Sequence, residues 1–214
     1  MTQHDAAATP AGSSHCYILL DRTGSMGSIW VEALGSVNAY VDGLKNPVDG
    51  AKASGDDKVT LAVFDHHDGL QFDILRRSVT ASTWNNVTDA EASPRGMTPL
   101  FDSIARLVSL AESDAPQRAI LVIMTDGREN ASVEVTRDGA KAALDRARAK
   151  GWEIVFLGAN FAKFADADAV GVIQSKSMAM SPGRMEASMR SLASKSRRYF
   201  EQAADVDFND EDRA

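Results

Sequence analysis

Three oxygen-bearing side chains follow the first apolar run of the sequence at alternate positions. Asp21, Thr23 and Ser25 come directly after the apolar residues 16–20. In an extended chain alternate side chains share one face, so we expect these three to converge on one point. Carboxylate and hydroxyl oxygens are the ligands that hard cations such as Mg²⁺ prefer. The segment therefore predicts half of a metal site; the other interpretation is a strand end followed by a helix N-cap, where Ser and Thr are common.

Two later segments offer side chains of the same chemistry. An apolar run at 118–124 predicts a buried strand, and Asp126 follows it after one residue. Between the two runs, Thr98 precedes a proline at the first position of a predicted helix. Taken separately, Thr98 is typical of a helix N-cap, and Asp126 with the glycine after it is typical of a turn.

In chain order, these segments together resemble the metal-ion-dependent adhesion site of von Willebrand factor type A (vWA) domains, in particular the solitary domains of bacteria and phages. That site has the pattern Asp-x-Ser-x-Ser, then a Thr on a second loop and an Asp on a third. The matching residues in this sequence are Asp21, Thr23, Ser25, Thr98 and Asp126. Thr23 stands where Ser is usual and offers the same hydroxyl with one added methyl group. The resemblance covers roughly residues 15 to 175.

The resemblance implies a function as well as a site. In the family the hydroxyls bind the metal directly, the carboxylates bind it directly or through water, and one position is left for a carboxylate from a partner. It therefore implies Mg²⁺, with Mn²⁺ or Ca²⁺ as alternatives, and a protein partner that offers an acidic side chain. Two carboxylates formally cancel the charge of the ion, and the helix N-terminus near Ser28 would also favour an anion. We expect a metal-dependent protein-binding module, a scaffold or adaptor, rather than an enzyme.

Alternating strand and helix patterns predict an α/β fold. Strands are predicted at 16–20, 58–64, 70–76, 118–124, 152–157 and 170–174, and helices at about 28–46, 100–111, 136–150 and from 182 onward, with short helices around Trp84 and at 161–165. A hairpin at 65–69 joins two of the strands, so one antiparallel edge strand is expected in a mostly parallel sheet. The predicted architecture is doubly wound with helices on both faces, as in vWA and Rossmann-like folds. With the strand order of the family, the strands that end at Asp21 and Asp126 are neighbours where that order reverses.

Length and composition limit the domain organisation and the classes of partner. A chain of 214 residues with 44% hydrophobic residues can bury one core, which we place at 15–204, between a flexible N-terminus, 1–14, and an acidic tail, 205–214. The net charge of −7 disfavours nucleic acid as a partner. No apolar stretch is long enough to cross a membrane and no signal-peptide pattern is present, so we expect a cytoplasmic protein without membrane contact. The lone Cys16 excludes an internal disulfide.

Other interpretations of the polar residues stay open. A strand that ends in Asp also resembles the first motif, Asp-x-Asp, of Mg²⁺-dependent phosphohydrolases of the haloacid dehalogenase type, but Thr23 replaces the second Asp and removes the usual acid–base residue. His66 and His67 suggest a transition-metal site, yet a hairpin turn exposes them and no third ligand is near. A carboxylate of the acidic tail is a further candidate for the partner's position on the metal. The sequence does not separate rim contact from loop polarity for Glu129, Asn130 and Asn160.

Overall fold

The structure is a computed structural model that describes residues 13–46, 57–158, 171, 176–179, 183–209 and 212. Its strands are β1 (Ser14–Asp21), β2 (Lys58–His66), β3 (Leu70–Thr80), β4 (Arg118–Thr125), β5 (Glu153–Gly158) and β6 (Ser177–Ala179). Its α-helices are α1 (Trp30–Lys45), α2 (Leu100–Asp114), α3 (Arg137–Ala149) and α4 (Met185–Gln202), and short 3-10 helices lie at Gly24–Ser28 and Ala81–Thr83. Among the described residues, no helix has the length and apolar character needed to cross a membrane.

The strands form one sheet in the order β3-β2-β1-β4-β5-β6. Strands β2 and β3 form an antiparallel hairpin, and every other neighbouring pair is parallel. The predicted α/β fold, mostly parallel with one antiparallel edge strand, is confirmed. Chain order runs outward from β1 to β3 on one side and from β4 to β6 on the other, so it reverses between β1 and β4. In sheets of this kind ligands bind beyond the carboxyl ends of the strands at such a reversal.

Two apolar layers bury the central strands. Along β1, Ile18 and Leu20 join a cluster with α1 and α4, while Tyr17 and Leu19 join a cluster with α2 and α3. Strands β1 and β4 are buried from their second residue onward. Cover on both faces explains why both read as near-continuous apolar runs in the sequence. The carboxyl ends of these two strands are therefore held firmly where the candidate site begins.

The last strand of the sheet, Ser177–Ala179, lies at a position where the sequence predicted none. Strand β6 is short and pairs in parallel with β5. Apart from Gly171, the strand predicted at 170–174 lies outside the described residues, as do the helix predicted at 161–165 and Asn160.

The short helix expected around Trp84 is a single 3-10 turn just before it, and the buried Trp84 indole donates a hydrogen bond of 3.1 Å to Oδ1 of Asn38 on α1.

The chain that follows α4 packs against the domain. Val206 and Phe208 are buried in the same cluster as the apolar side of α4. The carboxylates of 205–214 favour a solvated end, but these two apolar side chains between them gain more from burial than from exposure. The packed part of the domain therefore extends beyond residue 204.

Two carboxylates of this segment form ion pairs with lysines. Asp212 Oδ2 lies 2.9 Å from Lys195 Nζ, and Asp207 Oδ1 lies 3.2 Å from Lys176 Nζ. These two carboxylates do not occupy the partner's position at the predicted metal site. The acidic residues at 210–211 lie outside the described part of the chain.

A buried histidine at the start of β1 makes stability depend on pH. His15 Nε2 lies 2.9 Å from Thr60 Oγ1, and this hydroxyl accepts a 3.0 Å hydrogen bond from the Ser78 amide. The Thr60 hydroxyl hydrogen is thus free to be donated to a neutral imidazole. Burial lowers the pKa of His15 from 6.5 to about 4.

Because His15 takes up its proton more readily in the unfolded chain, its neutral form contributes stability that is fully present above pH 6.5 and is lost as the pH falls towards 4. Between pH 7.5 and 4.5 we expect wild type to lose about 2–3 kcal/mol more unfolding free energy than His15→Gln, which does not titrate. Urea unfolding of both proteins at the two pH values measures the difference. Equal losses in the two proteins would contradict this role of His15.

Candidate metal centre

Two neighbouring strands end side by side at the centre of the sheet. Leu20 of β1 pairs in register with Met124 of β4, so Asp21 and Thr125 are the next residues along the two strands. Thr125 Oγ1 donates a hydrogen bond of 2.6 Å to Asp21 Oδ2. Asp126 follows immediately. The strand pairing therefore brings both predicted carboxylates to the same point, where the strand order reverses.

A tight turn brings together the side chains that follow β1. The Thr23 amide donates to Asp21 Oδ1 at 2.7 Å, and the chain then enters the 3-10 helix Gly24–Ser28. Thr23 Oγ1 and Ser25 Oγ lie 3.2 Å apart. We expected these side chains to converge through extended alternation. They do converge, but a backbone turn after Asp21 produces the convergence.

The hydroxyls connect the three loops of the site. Ser25 Oγ donates to Asp126 Oδ1 at 2.7 Å, and Thr98 Oγ1 lies 3.4 Å from Thr23 Oγ1. The structure thus brings all five predicted residues together. Asp21, Thr23 and Thr98 are buried, whereas Ser25 is exposed. The site has a closed floor and an open side at Ser25.

The loop that follows β4 passes directly over these hydroxyls at Gly127. A Cβ at this position would lie 3.0 Å from Thr98 Oγ1, 3.5 Å from Ser25 Oγ and 3.7 Å from Asp21 Oδ2. A side chain would therefore displace the Thr98 hydroxyl. By contrast, a Cβ at Gly27, on the 3-10 helix of the same site, would meet no atom within 4 Å.

The Gly127→Ala substitution is expected to weaken Mn²⁺ binding about tenfold, because displaced ligands bind metal less well. The midpoint of thermal unfolding of the metal-free protein should change little, since only the Thr98 hydroxyl has to shift, by a few tenths of an ångström. Calorimetric titration of Mn²⁺ measures the affinity, with Gly27→Ala as the matched control at wild-type affinity. Equal affinities in the two variants would show that the Thr98 hydroxyl does not contribute to metal binding.

In the described part of the chain, the two carboxylates of the site form no ion pair, and burial sets their pKa values. Burial raises the pKa of Asp21 to about 6, against hydrogen bonds from Thr125 and Thr23 that lower it, and burial also raises the pKa of Asp126. Among the described residues, no Lys or Arg forms an ion pair with either carboxylate. Two carboxylates and three hydroxyls around one point, without a counter-charge, fit a hard divalent cation.

Arg22, the residue directly after Asp21, is positively charged but forms its ion pairs with carboxylates outside the site. Arg22 is buried and its side chain forms ion pairs with Asp65 and, at 2.5 Å, with Asp73. Its carbonyl accepts a 2.8 Å hydrogen bond from the Arg95 amide, and Arg95 Nε lies 3.4 Å from the Asp65 carboxylate. This network ties the loop after β1 to the end of β2 and to the loop that carries Thr98.

A second set of contacts holds Thr98 from the side of β4. The side-chain oxygen Oδ1 of Asn130 accepts a hydrogen bond of 2.8 Å from the backbone amide of Thr98. The backbone amide of Asn130 donates one of 3.1 Å to the Thr98 carbonyl. Glu129 Oε2 accepts from the Phe101 amide at 2.9 Å, at the N-terminus of α2. The sequence did not separate rim contact from loop polarity for Glu129 and Asn130. In the structure, Asn130 holds the backbone at Thr98, and Glu129 holds the start of the helix that follows. Asn160 lies outside the described residues.

Sequence reasoning missed Asp102, which holds the loop after β4. This carboxylate is fully buried on α2 and accepts hydrogen bonds from the amides of Val133 at 2.9 Å, Glu134 at 3.1 Å and Val135 at 2.6 Å. An acidic residue in the first turn of a helix is also common for helix-dipole reasons alone, so the sequence carries no distinct signal for this contact.

Comparisons by sequence find nothing similar: no protein-family model and no curated protein matches the chain. Solved structures do match. The vWF domain of the type V pili tip protein Mfa5 from Porphyromonas gingivalis aligns with a TM-score of 0.64 at 11% identity, over 92% of this chain and 99% of that one. Manganese-loaded TRAP protein of Plasmodium vivax aligns with a TM-score of 0.60 at 16% identity, over 83% of this chain and 72% of that one.

A third solved structure is proximal thread matrix protein 1 from the mussel byssus, with a zinc-occupied adhesion-site motif. It aligns with a TM-score of 0.58 at 14% identity, over 87% of this chain and 48% of that one, so the chain spans about half its length. These alignments confirm the fold expected from the sequence: the chain has the fold of von Willebrand factor type A domains.

Proposed function

We propose that this protein is a metal-dependent protein-binding module that grips an acidic side chain of its partner through a bound Mg²⁺ ion. The observation that carries the proposal is the meeting of two carboxylates and three hydroxyls where the strand order reverses, with no ion pair from any Lys or Arg that the structure describes. The residues that would hold the ion are Asp21, Thr23, Ser25, Thr98 and Asp126.

Charge balance supports a partner with a carboxylate. The two Asp side chains formally cancel the charge of a divalent ion, and the hydroxyls add no further negative charge. The loaded site therefore has no net negative charge that would repel an incoming anion from the ion. When bound, the ion would supply a coordination position for that anion. Ser25 is exposed while Thr23 and Thr98 are buried, so the open side of the site is the side that a partner can reach.

The choice of metal follows from the same donors. Oxygen-only ligand sets suit Mg²⁺, Mn²⁺ and Ca²⁺, and availability then selects Mg²⁺ in most cells. Of the similar solved structures, the TRAP protein is manganese-loaded and the byssus protein holds zinc at its adhesion-site motif, which supports a divalent ion as the bound group.

We also propose that the site binds rather than catalyses. Thr23 stands at the position of the second Asp in the phosphohydrolase motif, and its hydroxyl does not ionise near neutral pH as an acid–base residue must. Thr23 lies 3.4 Å from the Thr98 hydroxyl and 3.2 Å from the Ser25 hydroxyl, so its surroundings fit a ligand rather than an acid or base.

A peptide titration tests the proposal. The probe is a short Gly/Ser peptide with blocked ends and a single Glu, added to ¹⁵N-labelled protein loaded with Mg²⁺. We expect amide shifts around the site with Mg²⁺ and none with EDTA, and no shifts with the matched peptide that has Gln instead of Glu. Binding that persists in EDTA, or that is equal for the two peptides, would contradict a metal-held carboxylate.

A further inference from the structure

Large apolar side chains are exposed close to the candidate metal centre. Within the described residues four such side chains are exposed: Val133 at 79%, Val31 at 70%, Met97 at 50% and Ile74 at 40%. Only Ile74 lies away from the site, on the edge strand β3. The other three are the more exposed ones, and water contact with apolar surface of this kind is unfavourable unless a partner covers it.

Each of the three belongs to a segment that adjoins the metal ligands. Met97 directly precedes Thr98, and Val31 lies in the first turn of α1, just after the 3-10 helix that carries Ser25. Val133 lies in the loop that follows β4, where its amide is held by Asp102 of α2. Helices α1 and α2 both begin at the carboxyl end of the sheet, so all three side chains are at the same end as the site.

An exposed arginine, Arg128, belongs to the same loop after β4 as Val133. Arg128 follows Gly127, whose backbone covers the ligand hydroxyls, and precedes Glu129, which caps α2. Its side chain is exposed and has no hydrogen bond or ion pair within the described part of the chain. The two arginines on the other side of the site are used internally, because Arg22 and Arg95 both pair with Asp65.

From this arrangement we propose that Val31, Met97, Arg128 and Val133 form a docking surface, here called the rim surface, for an acidic peptide segment that also carries apolar side chains. The metal binds one carboxylate of the segment, and Arg128 forms an ion pair with a second. The three apolar side chains of the rim surface pack against the apolar side chains of the segment. The inference rests on the proposed function and extends it, because it states what the partner must carry in addition to one acid. The overall charge of −7 makes a cation beside the site important, since an acidic partner meets net repulsion from the protein.

The test compares three short peptides with blocked ends. The first has one Glu in a Gly/Ser background, the second adds a Leu on each side of that Glu, and the third adds a second Glu. Dissociation constants come from ¹⁵N–¹H titrations of the Mg²⁺-loaded protein at low salt. We expect the second and third peptides to bind about three- to fivefold more tightly than the first, the range expected for one exposed ion pair or a partly buried apolar contact.

Variants of the protein assign each gain to its side chain. Arg128→Gln should remove the gain from the second Glu, while Met97→Ser with Val133→Ser should remove the gain from the Leu residues. The matched controls are Arg198→Gln, an exposed arginine on α4, and Ile74→Ser, and both should leave all three affinities unchanged. Raising the salt concentration should reduce only the gain from the second Glu.

A separate metal titration distinguishes failure of the proposed function from failure of the rim surface. If wild type binds no Mg²⁺ or Mn²⁺, or if the metal-loaded protein binds none of the three peptides, the proposed function itself fails. If metal and the first peptide bind but the three peptides bind equally, or if the control variants lose the gains as the rim variants do, the rim surface is overturned. If metal binds, the gains appear and only the rim variants lose them, the inference is supported.

Discussion

Replacing Asp21 with Asn is expected to stabilise the metal-free protein and to abolish its stabilisation by Mg²⁺. Asp21 is fully buried, and no Lys or Arg of the described residues pairs with it. Asn keeps the size of the side chain and an oxygen for the Thr23 amide while removing the uncompensated charge. We expect a gain of about 1 kcal/mol in unfolding free energy without metal, since buried unpaired charge is costly.

Saturating Mg²⁺ should reverse this order of stability. A ligand at a hundred times its dissociation constant adds about 2.7 kcal/mol to wild type, and nothing to a variant that cannot bind it. Thermal unfolding of both proteins with EDTA and with Mg²⁺ gives the four midpoints needed. Equal stabilisation of wild type and Asp21→Asn by Mg²⁺ would show that the ion binds somewhere else.

The Gly96→Ala substitution is expected to cost at least about 3 kcal/mol and to disturb the Thr98 loop. Gly96 has a φ of +68°, in the left-handed region, and its added Cβ would overlap the carbonyl oxygen of His66. That carbonyl is fixed by hydrogen bonding to the Met97 amide at 3.2 Å, so it has little freedom to move. Metal affinity should fall together with stability, because Thr98 follows two residues later.

A variant at a second glycine separates the two causes of this loss, the strained backbone conformation and the close approach of the added Cβ to His66. Gly151 has a similar φ of +77°, but its Cβ would meet no atom within 4 Å. Gly151→Ala therefore measures the backbone strain alone, about 1 kcal/mol. Urea unfolding of both variants gives the comparison. If they lose the same stability, the close approach to His66 is not important.

The meeting of the five candidate ligands could be predicted from the sequence because their placement depends on few assumptions. The apolar runs before Asp21 and Asp126 are long enough to be buried strands, and parallel strands present their carboxyl ends at one edge of a sheet. The hydroxyls of Thr23 and Ser25 are close in sequence to Asp21. Only Thr98 comes from a loop whose position depends on tertiary contacts, and the resemblance to the vWA site identified it.

The residues that hold the site could not be predicted, because their partners are far away in the sequence. Asn130 contacts Thr98 across 32 positions, and Arg22 contacts Asp65 across 43. Nothing in the local sequence around Asn130 or Arg22 indicates those partners. The burial of Val206 and Phe208 was hidden in the same way, since acidic neighbours dominate the composition of that segment.

Calorimetric titration of Mn²⁺ and Mg²⁺ into metal-free wild type tests the metal centre itself. We expect one ion per chain for each metal, with Mg²⁺ competing for the Mn²⁺ site, and loss of binding in the folded Asp126→Asn variant. Asp126 is half-exposed, so this variant should keep its fold. Absence of binding to folded wild type, or unchanged binding to Asp126→Asn, would contradict a metal centre at the meeting point of β1 and β4.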